Sequence, residues 1–599
     1  MRLILSILLY VQVGGMLGDA VDLNYKGRLS TFISGPESEA VQIFSPERVA
    51  AQQGWGGWKG EHVGKWLYAA AKAYERTGDP EMRQRLTSVA DYLLSVQEPD
   101  GYLGCYRKER RYYQRPGPEE MVVDWDSWIQ AYLIQGLSEV TVATGEGRYA
   151  DAALRIAGRM RKAIFEEGIK LAQTGEHSGM VGTGALDALC DLYVLRPDPV
   201  VKDVIDDCIK EMDESPNLRL ISSLAKGYDV SLIGDGKIYE MMRCMTGLAK
   251  AYRLFGDERL LIACLNGWES IRSYHLTPLG GPWGGINVCP EIFNRPSEWA
   301  PQEVTETCSV MAWLRFTWEM LDLTGEGRYA SEIEKTVYNA LMAARASDGH
   351  QWVYYVNTNG WFRKGQEWDC CWSSGMSAME CIPEYMYKAD GRKLYVNIIA
   401  ESEFRTDISG KKVIVSEVSD YASTAAAEYR FDSPDEGKTR IGRFSFSVHR
   451  PEWAGSYSVT LNGKPLKVKE GKGYLSVKRC WKRGDVLALV FPGEVRQIRK
   501  DSEYINGGQK NWNFSNWYIG KTTHHVCFQA GPVVFAKDIP DPSDSQYRVS
   551  MTKEDISNAR LGKREDGTAT LSVGDLTLIP VCSMPADSGE PCRSVWFRF

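Results

Sequence analysis

From about Ser45 to Met342, apolar residues recur at steps of three and four, as in Val63, Trp66, Leu67, Ala70 and Ala71, a period that predicts helices. The helices are punctuated in a repeating way: Thr77-Gly78-Asp79, Thr144-Gly145-Glu146, Phe255-Gly256-Asp257 and Thr324-Gly325-Glu326. A glycine can end a helix in the left-handed conformation, and the acidic residue after it favours the next helix start. The glycines lie 67, 111 and 69 residues apart, which fits helical hairpins with one unrecognised copy in the long gap. The inference is a mainly α toroid, an (α/α)6-type barrel; the repeat by itself also allows an open solenoid.

After about Gly391 the period falls to two. Leu394–Ile399, Arg443–Val448, Tyr457–Leu461, Val486–Phe491 and Pro532–Phe535 read as strands, with Asn462-Gly463 as a hairpin turn. The expected organisation is 1–20 outside the fold, an α/α barrel over 21–390 with a possible β segment at 21–45, and a C-terminal β-sandwich region over 391–599 that could hold two small sandwiches. The first segment, with Arg2, the apolar run Leu3–Leu9 and small Gly18 and Ala20, reads as a secretory signal peptide. It implies a soluble protein exported to the periplasm or beyond, and no other stretch is long and apolar enough to span a membrane.

Composition narrows the partners. The 599 residues carry 71 Lys+Arg against 78 Asp+Glu, and 71 − 78 = −7 argues against a nucleic-acid binder. Tryptophan (19) outnumbers phenylalanine (17), and an indole offers a sugar ring a flat apolar face with one donor. Oligomeric state is not legible.

Most of the fourteen cysteines are scattered singly in helical patterns, as buried small apolar side chains would be. Three are not. Cys308 follows Glu306, and Cys370 and Cys371 are adjacent. With Thr305 capping one helix, and Ser373 or Ser374 capping another just after the pair, two helix starts would present three thiols and a carboxylate to one point. That donor set suits tetrahedral zinc, although iron or reduced copper also takes thiolates, and adjacent cysteines could instead form a vicinal disulfide. Four anionic ligands make a poor Lewis acid, so such a cation would serve either as a staple or to keep one thiolate ionised for attack. A retaining glycosidase pairs its nucleophile with a carboxylic acid. Glu291, Glu298 and Glu303 precede Glu306 in the chain, and burial beside Phe293 or Trp299 would raise a carboxyl pKa towards that task. The Gly-rich loop with Trp55, Trp58 and His62 is a candidate sugar contact. No phosphate loop, Gly-x-Ser-x-Gly elbow or His-Glu-x-x-His stands in the chain.

Gly60–Leu67, Asp100–Gly104, Glu306-Thr307-Cys308, Val337–Leu341, Cys370-Cys371 and Gly531–Val534 resemble segments of glycoside hydrolase family 127, whose founding activity is β-L-arabinofuranosidase. The resemblance implies an α/α barrel with β-sandwiches and a retaining exo-glycosidase acting on plant-polysaccharide-derived glycans. It implies zinc on Glu306, Cys308, Cys370 and Cys371, with Cys370 as nucleophile and Glu291 as acid/base. Tyr132 stands where the arabinofuranosidase branch has a histidine, and a second histidine is missing near Gly182–Gly184, so the sugar itself is open. Other classes consistent with the residues are a non-catalytic glycan-binding protein with a structural zinc and a polysaccharide lyase.

Overall fold

The structure is a computed structural model that describes residues 10–51, 57–114, 124–286, 289–418, 421–434, 439–510, 513–539, 550–587 and 592–599. The barrel helices are α1 (Gly15–Asn24), α2 (Glu61–Thr77), α3 (Pro80–Val96), α4 (Asp126–Thr144), α5 (Arg148–Phe165), α6 (Leu186–Leu195), α7 (Pro199–Glu214), α8 (Ile238–Phe255), α9 (Glu258–Tyr274), α10 (Thr307–Thr324), α11 (Gly327–Thr336) and α12 (Cys370–Glu380). Helices α2, α4, α6, α8, α10 and α12 pack each on the next, and α12 returns to α2, so the ring is closed. Their chain partners form the outer layer, with α1 from the start of the chain packing against α12.

Burial follows from composition. The inner helix α4, with apolar residues on every face, is buried without a break from Asp126 to Ser138, whereas outer α5 buries one face through Tyr149, Ala153, Ile156 and Met160. Where α2 meets α4, a Cβ on Gly64 would stand 2.4 Å from the Tyr132 carbonyl, so this approach requires glycine. Gly78, Gly145, Gly256 and Gly325 all sit at φ between 64° and 74° and end inner helices, as their spacing predicts. The copy hidden in the long gap is α6–α7, where Arg196 and the N-cap Asp198 replace the glycine-acid pair.

The start of the chain departs from expectation. Tyr10–Val13 forms β1, antiparallel to Ser402–Asp407 at the edge of a seven-stranded sheet, and Leu17, Ala20, Val21 and Asn24 are buried at helical spacing on α1. Residues 10–20 therefore belong to the fold, and cleavage after Ala20 would remove a strand and half a helix; residues 1–9 lie outside the described residues. The anticipated β segment at 21–45 is helical instead, because its apolar residues repeat at three and four rather than two.

The seven-stranded sheet faces a five-stranded one built around Arg440–His449 and Tyr474–Lys482. Phe431 of the first stacks on Trp481 of the second at 3.8 Å between ring centroids, with Phe444 and Phe446 beside them. From Val495 a branched nine-stranded sheet follows, and Cys592–Ser594 in it pairs back to Asn359–Trp361 of the barrel.

Candidate active site

The inner helices all begin at one end of the ring. The segments leading into them carry Trp58 (before α2), Trp125 (before α4), His177 (before α6), Lys237 (before α8) and Glu306 (before α10), while Cys370 is the first residue of α12. Each such start adds partial positive charge, so this end suits anionic side chains.

Strand β2 (Val304–Glu306) runs directly into α10 and pairs with β3 (Val353–Asn357), which sets Glu306 opposite Tyr355. Glu306, not Thr305, is the residue before α10, and Asp369 precedes α12, so Cys370 and Cys371 form its first turn rather than standing before it. Ser373 and Ser374 are not caps. Ser374 Oγ donates to Cys308 Sγ at 3.1 Å and accepts from Lys65 Nζ at 2.9 Å, and Lys65 also donates to Glu61 at 2.7 Å.

Glu306, Cys308, Cys370 and Cys371 converge with their donor atoms within 4.8 Å of one another. Cys371 Sγ lies 3.6 Å from Cys308 Sγ and 3.9 Å from Cys370 Sγ, and Glu306 Oε1 lies 3.7 Å and 3.9 Å from Cys370 and Cys371. A disulfide requires about 2.05 Å, so these thiols are free. A tetrahedron with metal–sulfur bonds of about 2.3 Å has edges of about 3.8 Å, slightly shorter where one vertex is oxygen. Four of the six edges match at 3.6–3.9 Å and the rest lie within 4.8 Å, so these four side chains fit a tetrahedral thiophilic cation. Without it, Cys370 is held well below the usual thiol range by hydrogen bonding from Cys308 and Cys371 and by the Lys65 and Lys237 ammoniums, whereas burial pushes Cys308 and Cys371 up.

Glu291 stands beside this cluster. Tyr355 Oη donates to its Oε1 at 2.6 Å and Tyr354 Oη at 3.1 Å, while Lys237 Nζ lies 3.1 Å from its Oε2. The same ammonium is 3.0 Å from Glu240 and 3.7 Å from Glu306. Tyr354 Oη is also 4.0 Å from Cys370 Sγ. Burial pushes the Glu291 carboxyl up, but Lys237 and the Tyr355 hydroxyl outweigh it and hold it below the usual range. That is opposite to the direction expected from its apolar neighbours. Of the other two carboxylates, Glu303 is buried and accepts from the Trp299 and Trp596 indoles at 2.8 and 2.7 Å, an anchor between domains. Glu298 accepts from the Arg295 backbone at 3.3 Å.

His62 is fully buried beneath α12, with Nε2 donating to the Trp368 carbonyl at 3.2 Å and Nδ1 accepting from Ser373 Oγ at 2.7 Å. Burial and the Lys65 and Arg28 charges lower its pKa to about 3, so the ring is neutral and braces the cysteine helix. Tyr132 is buried too, its hydroxyl paired with Tyr239 and its ring 3.9 Å from the Arg243 guanidinium. Trp58 is half-buried on the turn before α2, edge-on to Trp125, and Trp55 lies outside the described residues. The sequence reading missed Lys65, Lys237, Tyr354 and Tyr355. Lysines at helix starts look like solvated surface, and only the Glu61/Lys65 and Lys237/Glu240 spacings hinted at buried pairs.

Comparison with known proteins agrees with this geometry. Residues 28–386 match the profile of the β-L-arabinofuranosidase GH127 catalytic domain, and residues 393–493 match that of the GH127 middle domain. The chain is 24% identical over 544 residues to the non-reducing end β-L-arabinofuranosidase of Bifidobacterium longum subsp. longum, covering 82% of this chain and 77% of that protein. It shares its fold with Ara127N, a GH127 β-L-arabinofuranosidase from Geobacillus stearothermophilus T6, at a TM-score of 0.76 and 20% identity over 98% of this chain and 99% of that one. The GH127 β-arabinofuranosidase BT3674 superposes with a TM-score of 0.75 at 19% identity, covering 99% and 97%.

Proposed function

The chain belongs to the GH127 β-L-arabinofuranosidase family of glycoside hydrolases, and on that premise we propose that it is a retaining exo-glycosidase with Cys370 as nucleophile and Glu291 as acid/base. Family membership sets aside the lyase and the non-catalytic binder. The observation that carries the reading is the placement of the Cys370 sulfur 4.0 Å from the Tyr354 hydroxyl, which also holds Glu291.

Zinc is the cation proposed for Glu306, Cys308, Cys370 and Cys371; when bound it neutralises the crowded thiolates and keeps Cys370 deprotonated. Cys370 Sγ attacks the anomeric carbon and forms a thioglycosyl bond while the bond to the leaving oxygen breaks. Glu291 donates its proton to that oxygen, and the resulting carboxylate takes a proton from the water that attacks the same carbon and releases Cys370. Tyr354 and Tyr355 hold the Glu291 carboxyl in place. Lys65, through Ser374, orients Cys308 and adds positive charge beneath the sulfurs. The proposed substrates are oligosaccharides derived from plant polysaccharides, β-L-arabinofuranosides first among them.

Cys370→Ser should lower turnover of an aryl β-L-arabinofuranoside by about 10³-fold or more with the fold intact. The wild type, trapped with a slow substrate, should carry one glycosyl unit on the peptide containing Cys370 by mass spectrometry. Normal turnover by the serine variant would remove the proposed nucleophile.

A further inference from the structure

The rim of the barrel end that holds the cysteines divides into two halves. Helices α8, α10 and α12 bring Lys237, Glu306 and the cysteines, whereas the starts of α2, α4 and α6 bring Trp58, Trp125 and His177, none of which the chemistry above uses. Trp125 lies edge-on to Trp58 at 5.9 Å, to His177 at 5.9 Å and to Trp128 at 5.7 Å, which makes one continuous aromatic wall. Through the Trp128 indole the wall is tied to Glu61, and so to Lys65 and Ser374 behind Cys308.

His177 is held at a cost. It and Ser178 adopt φ of 59° and 56°, followed by Gly179 at 95°, so two consecutive non-glycine residues sit in the left-handed region. Such backbone persists only where surroundings enforce it, and it concentrates at functional sites. Asp235 holds the side chain in place: its Oδ2 accepts from His177 Nδ1 at 2.8 Å while Oδ1 accepts from the Lys237 backbone N–H at 3.3 Å. One carboxylate thus fixes the imidazole and the turn that carries Lys237 to Glu291. His177 Nε2 is 3.7 Å from Glu176 Oε2, beyond hydrogen-bond reach, and the side chain is 19% exposed. Cys308 and Cys371 are fully buried, Cys370 is 9% and Trp125 7% exposed, and Trp58 and His177 reach further towards solvent.

We infer that Trp58, Trp125 and the Asp235-oriented His177 form a subsite for the sugar on the leaving-group side, with His177 Nε2 hydrogen-bonded to one of its hydroxyls. The inference rests on the reading of Cys370 as the floor of the site. The reacting sugar occupies the floor at Cys370, so the next ring lies against the more exposed Trp58 and His177 with Trp125 behind them, where aromatic surface and one fixed polar group suit a neutral saccharide. The ligand class is therefore a disaccharide or longer glycan rather than a glycoside with a small aglycone.

The test compares wild type with His177→Ala and His177→Gln on a β-L-arabinofuranosyl disaccharide and on the 4-nitrophenyl β-L-arabinofuranoside. Loss of one hydrogen bond in such a site corresponds to about a tenfold change. Expected is a fall of about tenfold in kcat/KM for the disaccharide with His177→Ala, mainly in KM, partial rescue by His177→Gln, and no more than about a twofold change for the aryl glycoside. Metal content and Tm should stay those of the wild type. Equal losses on both substrates, or none on either, would overturn the subsite. Binding to an array of plant cell-wall oligosaccharides, read on wild type and His177→Ala, separates this claim from the catalytic one. Oligosaccharides retained by the wild type and lost by the variant support the subsite even if Cys370 proves dispensable. Equal retention, or no retention by the wild type, overturns it.

Discussion

At the scale of single residues, the site depends on charges placed against one another in a dry setting. Lys237 holds the Glu291 carboxyl below its usual range, yet the proposed first step needs it protonated. Removing the ammonium raises a carboxyl pKa, so Lys237→Met should move the alkaline limb of the kcat/KM profile to higher pH, read alongside metal content because Lys237 also faces Glu306. Glu291→Gln should slow substrates with poor leaving groups by about 10²–10⁴-fold, spare activated aryl glycosides, and respond to azide. His62 supplies a stability test. Its folded pKa of about 3 lies below the usual 6.5, so the unfolded chain binds the extra proton in between. The stability it contributes is present above about pH 6.5 and is lost as pH falls towards about 3, on the order of a few kcal/mol. His62→Asn should flatten Tm against pH in that window. These residues were unevenly legible. Three cysteines and Glu306 stood out because their spacing is rare, whereas Lys65 and Lys237 could not, since only tertiary packing turns a helix-start lysine inward.

At the scale of elements, the sequence period named helices and strands well and failed where burial decides between local readings. The first twenty residues read as an export leader because of Arg2, the apolar run Leu3–Leu9 and small Gly18 and Ala20. Of this stretch, Tyr10–Val13 forms an edge strand and Leu17 and Ala20 lie on the buried face of α1. A chain beginning at Val21 loses both the strand and Leu17, and deleting one buried leucine already costs about 2–5 kcal/mol. Its Tm should fall well below that of a chain beginning at Tyr10, and proteolysis should start earlier. The α2–α4 contact is equally exacting. Gly64→Ala would place a methyl against the Tyr132 carbonyl, and the overpacking should cost about 1–3 kcal/mol, visible as a lower unfolding midpoint in denaturant.

At the scale of the whole molecule, the repeat of glycine-ended helices pointed to hairpins but left ring and solenoid unresolved. Closure is a property of α12 meeting α2, more than 300 residues apart in the chain, and no local pattern reports it. The donor set spans that late-closing part of the ring, since Glu306 and Cys308 enter with α10, and Cys370 and Cys371 with α12. A bound cation therefore stabilises the closed barrel by mass action, by about 2.7 kcal/mol when free metal is 100 times its Kd. Chelation should lower Tm along with activity, and zinc should restore both. A metal-depleted protein with unchanged Tm would show that the four ligands hold nothing in the folded chain.

The proposed nucleophile is carried by α12, the last inner helix to leave the ribosome. A nascent chain five-sixths of the way round has its Glu306 and Cys308 but neither Cys370 nor Cys371, and α1 still lacks its contact with α12. On the proposed mechanism, chemical competence and completion of the ring thus arrive together during synthesis.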